Sequence, residues 1–134
     1  MRRPDRALGL LLLAVLPAVL LTGCGADPRQ VSVCERLIPW FEGADTPVDI
    51  VREEKHPAAA HGVIIDYRRP DQPEDKQNHW IACRFAGGAF DPDRLKLTAV
   101  ATDRKGTLSD IELGVLRYLW LGYFEPEWRQ RAER

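Results

Sequence analysis

A chain of 134 residues carrying 19 basic and 20 acidic side chains is close to neutral, and 45% of it is apolar. That balance excludes a polycation that would grip nucleic acid through its charge, and the length allows one domain of ordinary size. Three cysteines, an odd number, leave one thiol to be explained if the chain is exported.

The first element reads as a secretory leader. Arg2, Arg3 and Arg6 stand against a single Asp5, and Ala7 to Leu21, "ALGLLLLAVLPAVLL", carries no charge. A spanning helix needs about 20 apolar residues, and Pro17 would interrupt this run, so a permanent span is not expected. Arg2-Arg3 lacks the apolar residues that should follow a twin-arginine pair. The leader closes on Leu21-Thr22-Gly23-Cys24, which resembles the lipobox of bacterial lipoproteins: an aliphatic residue, two small ones, then cysteine. That resemblance covers residues 1–24. It implies that residues 1–23 are removed, that Cys24 becomes the first residue, and that acyl chains on it anchor the protein to a membrane. Anchoring of this kind takes more than one chain, each buried CH₂ contributing about 0.8 kcal/mol. Gly25 and Ala26 do not resemble the aspartate-type retention signal of such proteins. The expected place is therefore the cell envelope, facing the periplasm, with the outer membrane ahead of the inner. The plainer alternative is simple secretion with a spare thiol.

With Cys24 used by lipid, Cys34 and Cys83 form an even pair in an oxidising compartment, where a disulfide persists. Two unrelated buried thiols are the other possibility. Without residues 1–23 the chain has 111 residues and a net charge of −3, from 16 basic and 19 acidic side chains. We read residues 24–30 as a lipidated polar tether, 31–125 as a single domain and 126–134 as a polar tail.

Within that domain, Val31, Cys34, Leu37, Ile38 and Phe41 lie on one helical face, with Pro39 bending or ending the helix. "TPVDIVRE" reads as a short strand. Three period-two segments follow. Val63, Ile65 and Tyr67 oppose Ile64, Asp66 and Arg68; Ile81, Cys83 and Phe85 oppose Trp80, Ala82 and Arg84; Leu95, Leu97, Ala99 and Ala101 oppose Lys96, Thr98, Val100 and Thr102. The breaks between them, "HPAAAHG", "RRPDQPEDKQ" and "GGAFDPD", are rich in turn formers. Ser109 and Glu112 form a capping-box pattern opening a final helix. The expected fold is α+β: a helix, a three- to four-stranded antiparallel meander and a C-terminal helix, both helices on one sheet face. Cys34 on the helix face and Cys83 on the inner strand face agree with a bridge across the core.

Candidate chemistry is sparse. Ser109 is occupied as a cap, no Gly-x-Ser-x-Gly elbow exists, and Asp91 and Asp93 belong to a turn, so no catalytic residue and no cofactor are expected. His56 and His61, after Glu53 and Glu54, are the nearest thing to a metal site. Their spacing matches no ligand pattern, and a plain loop explains them better. His79 stands alone at a strand start, packed or solvated. The final helix, "IELGVLRYLWLGYF", is apolar almost all round. One stripe, Leu108, Ile111, Val115, Tyr118 or Leu119, and Gly122, is expected to cover the sheet. A second side, Leu113, Leu116, Trp120, Tyr123 and Phe124, is then left as a partner surface, unless the first helix buries it. "YRR" at Tyr67 to Arg69, with Trp80 and Arg84, is a further polar-aromatic surface, or an ordinary solvated sheet face. The functional expectation is a non-catalytic accessory or binding lipoprotein holding a protein partner at the envelope. The alternative is a periplasmic ligand- or metal-binding module using the His56–His61 loop.

Overall fold

The computed structural model describes residues 25–122. Residues 1–23, Cys24, Tyr123, Phe124 and the tail of 126–134 lie outside them. Helix α1, Pro28–Glu35, begins inside the stretch expected to be a tether. Asp27 caps it by accepting from the Arg29 N–H at 3.0 Å, and Pro28 takes the first helical position, where its missing N–H costs nothing. Gln30 is buried and Ala26 already packs against the core, so the folded region starts ahead of the expected residue 31.

The single expected helix is two. α1 ends at Glu35, and α2, Ile38–Glu42, restarts with Pro39 in its first turn, a position that proline tolerates. Gly43, at φ 98°, turns the chain out of α2 in a left-handed conformation that favours glycine. Val31, Val33, Cys34, Leu37 and Ile38 all reach the core, whereas Phe41 is only partly buried.

Five strands follow in a plain antiparallel meander, in the order β1-β2-β3-β4-β5. They are β1 Asp49–Lys55, β2 Gly62–Arg68, β3 Asn78–Phe85, β4 Leu97–Thr102 and β5 Gly106–Thr107. The architecture is the α+β one expected, and the fifth strand is a two-residue return paired with Ala101 and Thr102. β2 and β3 follow the expected alternation, with Val63, Ile65, Tyr67, Ile81, Cys83 and Phe85 inward. β4 does not. Phe85 pairs with Leu97 and Arg84 with Ala99, so Thr98 is an extra residue and the face switches. Leu97 and Val100 are therefore both buried, against an alternation that set them on opposite sides.

α1, α2 and the last helix cover the inner face, and Cys34 in α1 is bridged to Cys83 in β3 with Cα atoms 5.9 Å apart. Helix α3, Asp110–Val115, opens with the full capping box of Ser109 and Glu112 and runs on through Leu116–Leu121 in wider π-helical turns. Its phase corrects the expected one. Leu113 and Leu116 point into the core, while Ile111, Val115, Tyr118 and Leu119 face outward. The reason lies in Leu108, from which the inward stripe was counted. It precedes the cap, donates to Val100 O at 2.8 Å as extended chain, and is not part of the helix. Leu108 is instead buried in the same core as Leu113, the residue pair of a hydrophobic staple.

Candidate functional site

In an antiparallel meander successive turns alternate between the two ends of the sheet. One end here gathers residues 69–77, the β4–β5 turn at 103–105 and the C-terminus of α2. The other gathers residues 56–61, residues 86–96 and the first turn of α1. Each end carries a polar constellation.

At the first end, a carboxylate has been taken out of water. The Glu42 side chain is fully buried, and it accepts from the Tyr67 hydroxyl at 2.7 Å, from Arg69 Nη1 at 2.7 Å and from Arg104. Burial of a carboxylate is costly without partners, and two guanidinium groups with a phenol supply them. Arg69 also pairs with Asp71 at 2.7 Å, and its guanidinium holds the Asp71 carboxyl below the usual range. Burial pushes the Tyr67 hydroxyl up to about 12, with the Asp103 charge adding to it and Arg69 opposing.

Behind Tyr67, the tilted His79 ring sits with its centroid 5.6 Å away. His79 Nδ1 lies 2.8 Å from Asp103 Oδ2, and its Nε2 faces the Gln72 amide at 2.7 Å. With the Gln72 oxygen turned to Arg69 Nη1, at 3.2 Å, the amide nitrogen donates to both His79 Nε2 and Lys76 O. A histidine on a carboxylate is the arrangement that orients a general base, but a base needs its far nitrogen free for a nucleophile. Here Gln72 occupies that nitrogen. Ser109 serves its capping box and Cys34 and Cys83 are bridged. The constellation locks residues 69–77, the β4–β5 turn and the end of α2 together, and each member is satisfied by another.

Sequence reading placed Tyr67, Arg68 and Arg69 with Trp80 and Arg84 on one surface. The structure removes two of them: Tyr67 is inside with Glu42 and Arg69 bends over the sheet end, while Arg68, Trp80 and Arg84 stand exposed on the outer face. Glu42, Gln72, Asp103 and Arg104 were missed altogether. The one available signal was His79, which has the parity of Ile81, Cys83 and Phe85 and so was bound to point inward.

At the other end, the His56–His61 loop does not bring its histidines into a shared ligand set. His56 is half-buried and its Nδ1 accepts from the Ala58 N–H at 3.0 Å. Burial, with the nearby Arg84 charge, lowers its pKa, in keeping with that accepting role. Among the described residues no group of three or more His, Cys, Asp or Glu side chains could hold a metal ion. Glu35 and Glu53 bring two carboxyls together beside β1, and burial, reinforced by Glu53, raises the pKa of Glu35.

The last helix carries a row of exposed apolar side chains. Ile111 is 80% exposed, Val115 42%, Tyr118 82% and Leu119 47%, at spacing i, i+4, i+7 and i+8. Of the residues expected to form a partner surface, Leu113 and Leu116 are core. Trp120 donates from its indole N–H to Arg36 O at 2.8 Å and meets Trp40 edge-on, centroids 5.6 Å apart. Tyr123 and Phe124 lie outside the described residues. Among the described residues no helix is long and apolar enough to cross a membrane. No protein-family model, curated protein or solved structure matches this chain.

Proposed function

We propose that the chain is a lipid-anchored, non-catalytic accessory protein of the cell envelope. Acyl chains on Cys24 hold it at the membrane facing the periplasm, and the outer side of its last helix docks a protein partner. The observation that carries the docking is the stripe of Ile111, Val115, Tyr118 and Leu119, four large apolar side chains left facing water along one helix. Single exposed apolar residues are ordinary, whereas a contiguous row on a small domain marks a contact. The lipobox-like Leu21 to Cys24 supports the anchoring. Restriction to a surface raises the effective concentration of the domain near a membrane partner, so a modest contact suffices.

The test is a mild-detergent pull-down of the tagged protein from its own membranes, beside a Tyr118→Glu variant verified as folded by circular dichroism. A stoichiometric partner bound by the natural protein and lost from Tyr118→Glu is the expected result. Equal recovery by both, or no partner for either, overturns the docking role.

A further inference from the structure

We propose that the end of the sheet carrying residues 86–96 rests on the bilayer, with Phe90 set into the lipid surface as a second, non-covalent contact. This rests on the reading of Cys24 as the lipidated residue, and it adds an orientation that the lipobox alone does not give.

Three observations carry it. The first is the reach of the tether. Ala26 packs against the core, and Cys24 is two residues before it, so the two Cα atoms are no more than about 7 Å apart. The eight residues of β3 make the sheet about 26 Å long. A tether that short cannot let the molecule turn freely, and the sheet end next to Ala26 is the one held against the membrane.

The second is which loop lies there. Gln30, buried in the first turn of α1, donates from Nε2 to Gly87 O at 2.9 Å and to Arg94 O at 2.8 Å. Asp27 pairs with Arg94 through 2.5 and 2.6 Å contacts. The loop is thus bolted to the point where the chain leaves for its anchor.

The third is the loop tip. Phe90 is 103% exposed, the most exposed large apolar residue described. It does not hang on a slack segment. Asp91 N donates to Gly88 O at 3.0 Å, Asp93 N to Asp91 Oδ1 at 2.9 Å, and Ala86 N to Lys96 O at 2.9 Å. Gly87 has no room for a side chain, since a Cβ there would lie 2.4 Å from Asp91 Cγ. An ordered turn that holds an aromatic ring in water, in the loop joined to the first turn of α1, has a lipid surface as its fitting occupant. Asp91 and Asp93 next to the ring keep the insertion shallow, at headgroup depth. The charged end with Glu42, Arg69 and Asp103 then faces away from the membrane.

The test uses the full, processed protein in vesicles of phosphatidylethanolamine and phosphatidylglycerol. The photoreactive residue p-benzoylphenylalanine is placed at Phe90 in one sample and at Glu74, on the opposite sheet end, in another. Irradiation is expected to give a phospholipid adduct from position 90 and none from position 74. An acylated, vesicle-bound protein with no lipid adduct at 90, with equal adducts at both positions, or with adducts only to a second protein chain overturns the orientation while leaving the anchoring intact. An N-terminal peptide of unacylated mass removes the anchoring, and the proposal falls with it for that separate reason.

Discussion

Tyr67 has an acid–base chemistry displaced well away from its behaviour in water. Its hydroxyl donates to buried Glu42 at 2.7 Å, and burial keeps its proton on up to about pH 12. An unfolded tyrosine releases that proton near pH 10, so the folded state holds one proton more between the two values. Stability from this group is therefore complete below pH 10 and is lost as pH rises towards 12. Tyr67→Phe is expected to cost about 1 kcal/mol at pH 7 through the lost hydrogen bond, and to flatten the decline above pH 10. Urea unfolding of both proteins at pH 7 and pH 11 checks this, and parallel losses in the two proteins would contradict it. At this scale the sequence was legible where two local patterns met. Cys34 and Cys83 were paired because each lay on an apolar face of its own element. The Glu42 cluster was not legible, because its partners lie 25, 27 and 62 residues away and the five residues of α2 are too few to show a period that marks Glu42 as buried.

Elements were legible where their phase could be counted from inside them. β2 and β3 turned their expected inward residues to the core, with Ala82 buried as well on the opposite side, and the capping box placed the start of α3. The β4 faces failed because a bulge at Thr98 shifts the count by one. The stripe on the last helix failed because Leu108, its starting point, sits in extended chain. The corrected phase gives a direct mutational ordering. Leu116→Ala removes a fully buried side chain and is expected to cost about 2–5 kcal/mol. Tyr118→Ser, on the outward side, is expected to change stability by less than about 0.5 kcal/mol. Thermal unfolding distinguishes the two, and a larger loss from Tyr118→Ser would return the helix to the phase first expected. The bridge between α1 and β3 closes 49 residues. In the chain-entropy account that contributes about 4 kcal/mol, so the Cys34→Ala/Cys83→Ala protein should unfold at correspondingly lower urea. An unchanged midpoint would mean that the bridge does not restrain the unfolded chain.

For the whole molecule, the two sheet ends have different characters. One is a closed lattice of charges around Glu42. The other bolts residues 86–96 to the first turn of α1 through Gln30, Asp27 and Arg94, immediately after the proposed anchor. Sequence reading took residues 24–30 as a free tether, since "GADPRQ" is polar and short. Only the folded chain reveals Gln30 as a buried bolt, because its acceptors, the carbonyls of Gly87 and Arg94, are 57 and 64 residues distant. That changes what a lipid at Cys24 would do, from tethering a domain at some distance to setting it against the bilayer. Everything proposed about placement depends on that lipid. The deciding measurement is the mass of the N-terminal peptide of the natural protein from its own membranes, with the fractionation of a Cys24→Ser variant alongside. The account expects a peptide beginning at an acylated Cys24, and a Cys24→Ser chain left with its leader uncut. A Cys24→Ser protein that is still cleaved and still recovered with the membranes would contradict it.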